Sequence, residues 1–125
     1  MKRRVLLLDD DAAIVSVVRR YFEGKGWEVE SCLAAGEALR LVDSDAPFDA
    51  IICDLHFTPA RLSEGLEIVG RARRGRPGAA VLLFTGAPEP GVREEARRRG
   101  ADEVVTKPTP LAGLLDAVMR AMDRP

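Results

Sequence analysis

Four short motifs in this chain of 125 residues carry side chains that could do chemistry, and each follows an apolar run. The first is the acidic triplet Asp9-Asp10-Asp11, the second is Asp54, and the others begin at Thr85 and Lys107. Clustered carboxylates repel one another and stay ionised only beside a cation, and oxygen ligands of this kind suit Mg²⁺ or Mn²⁺. A carboxylate flanked by a metal ion, a lysine and a hydroxyl has the parts needed to accept a phosphoryl group.

Each motif also has an ordinary structural explanation. An acidic triplet before a helix supplies an N-cap and first-turn acids, and a lone Asp after a strand is often a turn residue. Thr-Gly and Lys-Pro are common loop dipeptides. The chemical interpretation therefore depends on whether the fold brings the four motifs together.

Short apolar runs alternate with segments of helical periodicity along the chain. The runs are Val5–Leu8, Val29–Cys32, Ala50–Cys53, Ala79–Phe84 and Glu103–Thr106. Most are continuous rather than alternating, as expected for parallel strands covered on both faces. The helical stripes are Ile14–Phe22, Ala35–Val42, Leu66–Gly70, Val92–Ala96 and Leu111–Met122. The pattern predicts an α/β fold of the (βα)5 type, a doubly wound five-stranded parallel sheet with helices on both faces.

This architecture predicts where the four motifs lie. They follow the first, third, fourth and fifth apolar runs. Doubly wound sheets place their sites beyond the C-terminal ends of the strands. We therefore expect the four motifs to share one small cleft.

Composition and charge exclude other classes of protein. Apolar residues make up 46% and charged residues 31%, which is typical of a globular domain and not of a disordered or membrane chain. No apolar run is long enough to span a bilayer, and we expect no secretory signal peptide before the acidic triplet. The net charge of −1 gives no reason to expect direct nucleic-acid binding, and we interpret the arginines of 71–76 and 97–99 as solvated helix faces. We expect a cytoplasmic domain in which Cys32 and Cys53 are buried free thiols.

Taken in this order and spacing, the motifs resemble the response-regulator receiver (CheY-like) domains of two-component signalling. The matching stretches are Val5–Asp11, Ile51–Leu55, Leu82–Gly86, and Gly100–Asp102 leading to Thr106–Pro108. The resemblance implies a flavodoxin-like sheet with strand order 2-1-3-4-5 and a cis bond between Lys107 and Pro108. Because it covers nearly the whole chain, we expect a single receiver domain over residues 1–125, with no output domain in this chain.

The resemblance also implies a role for each site residue. Asp54 would be the phosphoacceptor, and Thr85 and Lys107 would contact the phosphoryl group. Within the acid pair, Asp10 would be a direct metal ligand and Asp9 would act largely through water. The implied ligands of Mg²⁺ or Mn²⁺ are Asp9, Asp10, Asp54 and the backbone carbonyl of His56.

The implied function is a signalling switch and not an enzyme, with chemistry limited to its own phosphorylation and dephosphorylation. The phosphodonor would be a sensor histidine kinase or a phosphotransfer protein. The downstream partner would be an effector or the protein's own output domain. The face formed by the fourth helix, fifth strand and fifth helix would serve for signalling or for a homodimer.

Three features depart from the family pattern. The loop after the phosphoacceptor, residues 56–65, is longer than usual and has Glu64 where Asp usually precedes the glycine. Val104 stands where an aromatic residue usually couples to the threonine, and Thr109 replaces a common Phe. His56, the only histidine, is expected to be a solvent-facing rim residue, with a role as general base as the alternative.

Two alternative functions stay open at this point. A degenerate receiver that serves only as a docking module would fit the missing aromatic at Val104. A haloacid-dehalogenase-like phosphohydrolase would use Asp9 as its nucleophile, although only Asp116 and Asp123 follow the lysine as late acids. Phosphorylation of Asp54 in the presence of Mg²⁺ would distinguish the switch from both.

Overall fold

The structure, a computed structural model, describes residues 2–55, 63–86 and 88–123. Across these residues strands and helices alternate as predicted. The strands are β1 (Arg4–Leu8), β2 (Glu28–Cys32), β3 (Ala50–Cys53), β4 (Ala80–Thr85) and β5 (Glu103–Thr106). The helices are α1 (Ala12–Gly24), α2 (Ala35–Asp43), α3 (Ser63–Gly75), α4 (Val92–Arg99) and α5 (Leu111–Met122).

All five strands pair in parallel, in the order β2-β1-β3-β4-β5. This confirms the predicted doubly wound sheet and its strand order. The three central strands are buried along almost their whole length, because helices cover both of their faces. The outer strand β2 instead alternates between exposed and half-buried residues up to its buried end.

Two apolar cores fill the layers on either side of the sheet. One packs the sheet against α2, α3 and α4, and the other packs it against α1 and α5. Cys32 and Cys53 are both free and buried, as predicted. Burial, followed by the nearby Glu37 carboxylate, raises the pKa of the Cys32 thiol to about 12, so this thiol stays protonated. None of the helices in the described part of the chain combines the length and apolar character that a membrane span requires.

The outer edge of β2 is covered by an arginine from the neighbouring helix. Arg19 on α1 donates to the Val29 carbonyl over 2.8 Å and to the Ser31 hydroxyl over 2.5 Å. An outermost strand leaves backbone groups unpaired on its free side. Arg19 therefore satisfies part of this edge and fixes α1 against it.

The prediction that the arginines of 71–76 form a solvated face is wrong for two of them. The Arg73 side chain is only 20% exposed and pairs with Asp102, and the Arg76 side chain is likewise enclosed by backbone carbonyls.

The Arg76 guanidinium donates to the carbonyls of Val42 (2.6 Å), Ala46 (2.6 Å) and Ser44 (2.9 Å), and it lies 5.2 Å from the centre of the Phe48 ring. Desolvation by this burial lowers the pKa of Arg76. The Arg76 side chain thus holds the connection between α2 and β3 in place, although that connection lies about 30 residues earlier in the chain.

Replacing Arg76 with Met should destabilise the fold, because it leaves those carbonyls without their charged donor. We expect the free energy of unfolding to fall by about 2 kcal/mol. Urea denaturation followed by the fluorescence of buried Trp27 measures this. Arg74→Met, a change of the same chemistry at an exposed position of α3, should stay within about 0.5 kcal/mol of the parent chain. Equal losses in the two variants would contradict the structural role of Arg76.

Candidate functional site

The register of β1 and β3 brings three carboxylates together. Leu8 pairs with Cys53, so the next residues, Asp9 and Asp54, emerge side by side at the C-terminal edge. The Asp54 backbone N–H donates to the Leu8 carbonyl over 2.8 Å and extends this pairing by one residue. One side-chain oxygen from each of Asp9, Asp10 and Asp54 lies within 4.8 Å of the others. The sequence motifs of β1 and β3 therefore do share one cleft.

Lys107, at the end of β5, is the cation that reaches this cluster. Its Nζ lies 2.8 Å from Asp9 Oδ2 and 3.8 Å from Asp54 Oδ2. The Asp9 side chain is only 2% exposed, so its charge is screened little by solvent. One ammonium facing three carboxylates leaves a net negative charge in a largely buried space, which favours a bound cation.

The three aspartates of the acidic triplet have different structural roles. Asp11 is the N-cap of α1, since its side chain accepts hydrogen bonds from the backbone N–H groups of Ala13 and Ile14. Both oxygens of Asp9 are engaged, Oδ1 by the Asp11 backbone N–H at 2.9 Å and Oδ2 by Lys107. The Asp10 side chain is exposed and forms no hydrogen bond within the described residues. The capping explanation is thus correct for Asp11, and Asp10 is the member of the triplet with free ligand oxygens.

Thr85 ends β4 beside the end of β5. The Lys107 backbone N–H donates to the Thr85 carbonyl over 2.8 Å, so the two residues are neighbours at the sheet edge. The Thr85 side chain is completely buried, and within the described residues its Oγ1 has no hydrogen-bond partner. A buried hydroxyl without a partner is costly. This hydroxyl is therefore able to gain a bond if an acceptor enters the cleft.

The lysine is held in place by its surroundings. The peptide bond between Lys107 and Pro108 is cis, as the family resemblance implied. The Lys107 ammonium lies 5.1 Å from the centre of the Phe84 ring, a distance at which a cation is attracted to an aromatic face. The aromatic ring and the Asp9 carboxylate together orient Lys107 toward the acidic cluster.

Sequence reasoning treated Gly65 only as part of a loop pattern and missed its structural role. A Cβ atom at this position would lie 2.6 Å from the Leu55 Cα and 2.7 Å from the Asp54 carbonyl oxygen. The start of α3 therefore packs directly on the backbone that carries Asp54. Cys53 supports the same segment, since its Sγ donates to the Asp54 carbonyl over 3.3 Å. Burial and the nearby Asp54 and Asp9 carboxylates raise the pKa of the Cys53 thiol, which keeps this donor protonated.

Two predictions about the cleft rim fall outside the described residues. The backbone carbonyl of His56, predicted as a metal ligand, lies in the segment 56–62, as do the His56 side chain and most of the lengthened loop. The last three residues of that predicted loop, 63–65, are instead the start of α3. Val104, in place of the usual aromatic, is buried in the core between the sheet and α4. Thr109 is half-buried next to the cis-proline segment.

Comparison with known proteins gives one consistent result. The family model of the response regulator receiver domain matches residues 5–119. The response regulator MprA of Mycolicibacterium vanbaalenii is 36% identical over 124 residues, which are 99% of this chain and 52% of MprA. MprA of Mycobacterium tuberculosis is 35% identical over 99% of this chain and 52% of the relative. This chain therefore spans about half the length of the curated relatives it matches.

Solved structures agree with this match. The CheY-like receiver domain protein of Methanospirillum hungatei superposes with a TM-score of 0.89 at 28% identity, over 98% of this chain and 95% of that one. A response regulator of Burkholderia pseudomallei, crystallised with a phosphorylated aspartic acid, a calcium ion and citrate, has a TM-score of 0.84 at 26% identity. The similarity covers 94% of this chain and 66% of that one.

Replacing Gly65 with Ala should displace the backbone that carries Asp54, because the new methyl group overlaps Leu55. We expect the free energy of unfolding to fall by about 1–3 kcal/mol, as for other overpacked positions. Gly70→Ala on the same helix is the matched control, since its nearest atom is the Arg74 Nη1 at an ordinary 3.5 Å. That change should be neutral or stabilising by up to about 1 kcal/mol through helix propensity. Thermal or urea unfolding of both variants measures the difference, and a stable Gly65→Ala protein would contradict the close approach.

Proposed function

The chain belongs to the response regulator receiver domain family, and from this premise we propose that Asp54 accepts a phosphoryl group in a Mg²⁺-dependent reaction. Phosphorylation would then switch a protein-interaction surface of this signalling domain. The observation that carries the proposal is the grouping of Asp9, Asp10 and Asp54 within 4.8 Å, with Lys107 beside them. These are the parts that phosphoryl transfer to a carboxylate requires.

The donor set of the cleft suits a hard divalent cation. Carboxylate oxygens with access to water are the ligands that Mg²⁺ prefers, and Mn²⁺ accepts the same set. We assign Asp10 and Asp54 as direct ligands, together with the backbone carbonyl of His56. Asp9 would act largely through water, as the family resemblance implies, and its two oxygens accept hydrogen bonds from the Asp11 backbone N–H and from Lys107. When bound, the ion would offset negative charge on the incoming phosphoryl oxygens.

Phosphoryl transfer would proceed by direct attack of Asp54. A carboxylate oxygen of Asp54 forms a bond to phosphorus while the bond from phosphorus to the donor's histidine nitrogen breaks, and the nitrogen keeps the electron pair. Lys107, 3.8 Å from Asp54 Oδ2, would offset charge on the transferred group. The Thr85 hydroxyl would gain a phosphoryl oxygen as its acceptor. Later attack by water on phosphorus would release inorganic phosphate and restore the Asp54 carboxylate.

The partners follow from this chemistry. The phosphodonor would be a sensor histidine kinase or a phosphotransfer protein. The transfer to this domain would take place in the cytoplasm. The phosphorylated domain would signal through α4, β5 and α5 to an effector, to an output domain of its own protein or to a second copy. We propose that residues 1–125 act as one receiver domain, since the family match extends over 5–119.

The two alternatives are not favoured. A phosphohydrolase with Asp9 as nucleophile would need this carboxylate to face the substrate, whereas the Asp9 side chain is only 2% exposed and is held by the Asp11 backbone N–H and by Lys107. A pure docking module would have no need for an acidic cluster with a facing lysine. The family match and the receiver-domain relatives also support the switch.

Incubation with Mg²⁺ and a small acyl phosphate should phosphorylate the chain. We expect intact mass spectrometry to show one added phosphoryl group in the parent chain and none in Asp54→Asn, which lacks the nucleophile. Asp11→Asn, an exchange of the same type at the helix cap, should be phosphorylated normally because Asn caps a helix equally well. An adduct on Asp9, or continuous turnover of phosphate esters, would contradict the proposal.

Mg²⁺ affinity should depend on Asp10 and not on its neighbour in the triplet. Asp10→Asn removes a charged ligand oxygen, so we expect the dissociation constant measured by calorimetry to rise at least about tenfold. Asp11→Asn should leave it unchanged, since the Asp11 side chain caps α1. Equal losses in the two variants would indicate a general effect of negative charge and not a ligand.

A further inference from the structure

The Lys107 ammonium stays beside the acidic cleft only if its long side chain is held there. Its backbone is fixed at the sheet edge, where the N–H donates to the Thr85 carbonyl over 2.8 Å. The four carbons between that backbone and the ammonium rotate freely in solution, and ordering them costs conformational entropy. Contacts of the side chain itself therefore decide whether the ammonium faces the cleft or the solvent.

Three groups among the described residues lie near the Lys107 ammonium. Its Nζ is 2.8 Å from Asp9 Oδ2 and 3.8 Å from Asp54 Oδ2. It also lies over the Phe84 ring, 5.1 Å from the ring centre. The two carboxylates are parts of the cleft, whereas Phe84 is a residue of the apolar core. The ring is therefore the one of these contacts that the acidic cluster does not explain.

The register of β4 and β5 places Phe84 beside Lys107. Phe84 pairs with Val105, and Lys107 follows Val105 by two residues. Side chains two residues apart on a strand point to the same face of the sheet. That face is the one covered by α1 and α5, since the core on that side contains Phe84 with Val105 packed against it. The contact between ring and ammonium therefore follows from strand pairing.

An open apolar groove lies beside this contact, between α1 and α5. It has a volume of about 320 Å³, and its walls include Ile14, Val17 and Leu111 as well as Phe84 and Lys107. Val17 is 53% exposed, so the groove opens to solvent. The described residues that line it include no carboxylate. The groove thus offers the lysine a second course along apolar surface, which would leave the ammonium in water and away from the cleft.

The aromatic character of Phe84, and not only its size, opposes this second course. Any apolar side chain of similar volume would fill the core position, but only an aromatic ring attracts a cation to its face. The attraction is stronger where water is excluded, and here Phe84 is 5% exposed and the Lys107 side chain 16% exposed. An ammonium has three N–H donors, and the ring leaves them available for Asp9 and for other oxygens in the cleft.

We propose that Phe84 is a positioning residue for Lys107, which keeps the ammonium at the cleft and out of the neighbouring groove. The position of the lysine follows from these contacts alone, whereas its effect on phosphoryl transfer to Asp54 rests on the proposed function. Because Nζ is already 3.8 Å from Asp54 Oδ2, a lysine held there meets the incoming phosphoryl oxygens without a search through its other conformations. Phe84 thus raises the rate of transfer without touching the phosphoryl group.

Nuclear magnetic resonance of the lysine side chains tests this position in the unphosphorylated chain. The chain has only three lysines, Lys2, Lys25 and Lys107, so selective labelling gives three ε-methylene signals, and Lys107→Arg identifies the relevant one. Protons above an aromatic face are shielded, so we expect the Lys107 signal upfield of that of exposed Lys2. Phe84→Leu should remove most of this displacement and Phe84→Tyr should keep it. An undisplaced Lys107 signal in the parent chain, or an equal displacement in Phe84→Leu, would overturn the proposal.

Phosphorylation kinetics test the consequence for the reaction. With a small acyl phosphate at saturating Mg²⁺, we expect the rate constant of Phe84→Leu to fall about three- to tenfold and that of Phe84→Tyr to stay within about twofold of the parent. Phe84→Met, which fills a similar volume without a ring, should behave as Phe84→Leu. Mg²⁺ affinity should not weaken in any of these variants, because the ligand carboxylates are unchanged. Phe22→Leu, the same exchange at a fully buried position of the same core, should keep the parent rate and the parent Lys107 signal.

The outcomes separate the position of the lysine from the function of the domain. Equal losses of rate in Phe84→Leu and Phe22→Leu would show that core packing alone matters, and would overturn the proposal. A parent rate in Phe84→Leu would overturn it as well. Failure of the parent chain to accept a phosphoryl group would instead overturn the proposed function, and the Lys107 signal would still decide whether Phe84 holds the lysine.

Discussion

A single ammonium group joins the two halves of the polar edge of this sheet. Lys107 Nζ and Asp9 Oδ2 are 2.8 Å apart, although β5 and β1 are separated by two other strands and the residues by 98 positions in the chain. Two buried opposite charges are tolerated at this distance because each reduces the cost of removing the other from water. The pair fixes Asp9 and places one ammonium group beside a cluster of three carboxylates. The net negative charge of the cleft follows from that ratio.

Much of this arrangement could be predicted from sequence, for an identifiable physical reason. The continuous apolar runs located the strands to within one residue at each end, and parallel strands must present their C-terminal ends at one edge. The convergence of Asp9, Asp54 and Lys107 followed from that rule alone. The strand order, in contrast, came from the family resemblance and not from the periodicity.

What could not be predicted depends on contacts between segments distant in the chain. Pattern analysis assigned Arg76 to a solvated face because a helical stripe records only which side of a helix is apolar, and the carbonyls it bonds lie about 30 residues away. Gly65 gave no signal because a close backbone approach has no periodicity. The sequence pattern identified the acidic triplet but not the different roles of its three residues. Asp11 caps α1, Asp9 is held by hydrogen bonds and Asp10 is exposed, and these roles depend on the backbone geometry at the start of α1.

Arginines on both outer strands have a consequence for how this sheet meets other proteins. Arg19 covers the Val29 carbonyl on β2, and Arg93 covers the Val104 carbonyl on β5. A bare edge strand is a template on which another chain can add a strand and begin to aggregate. A cation bonded to each edge makes strand addition costly there, because an incoming backbone would have to displace a charged donor. Arginines outnumber lysines 16 to 3 in this chain, and at these two positions the planar, multiply donating guanidinium covers an outward carbonyl of the edge strand.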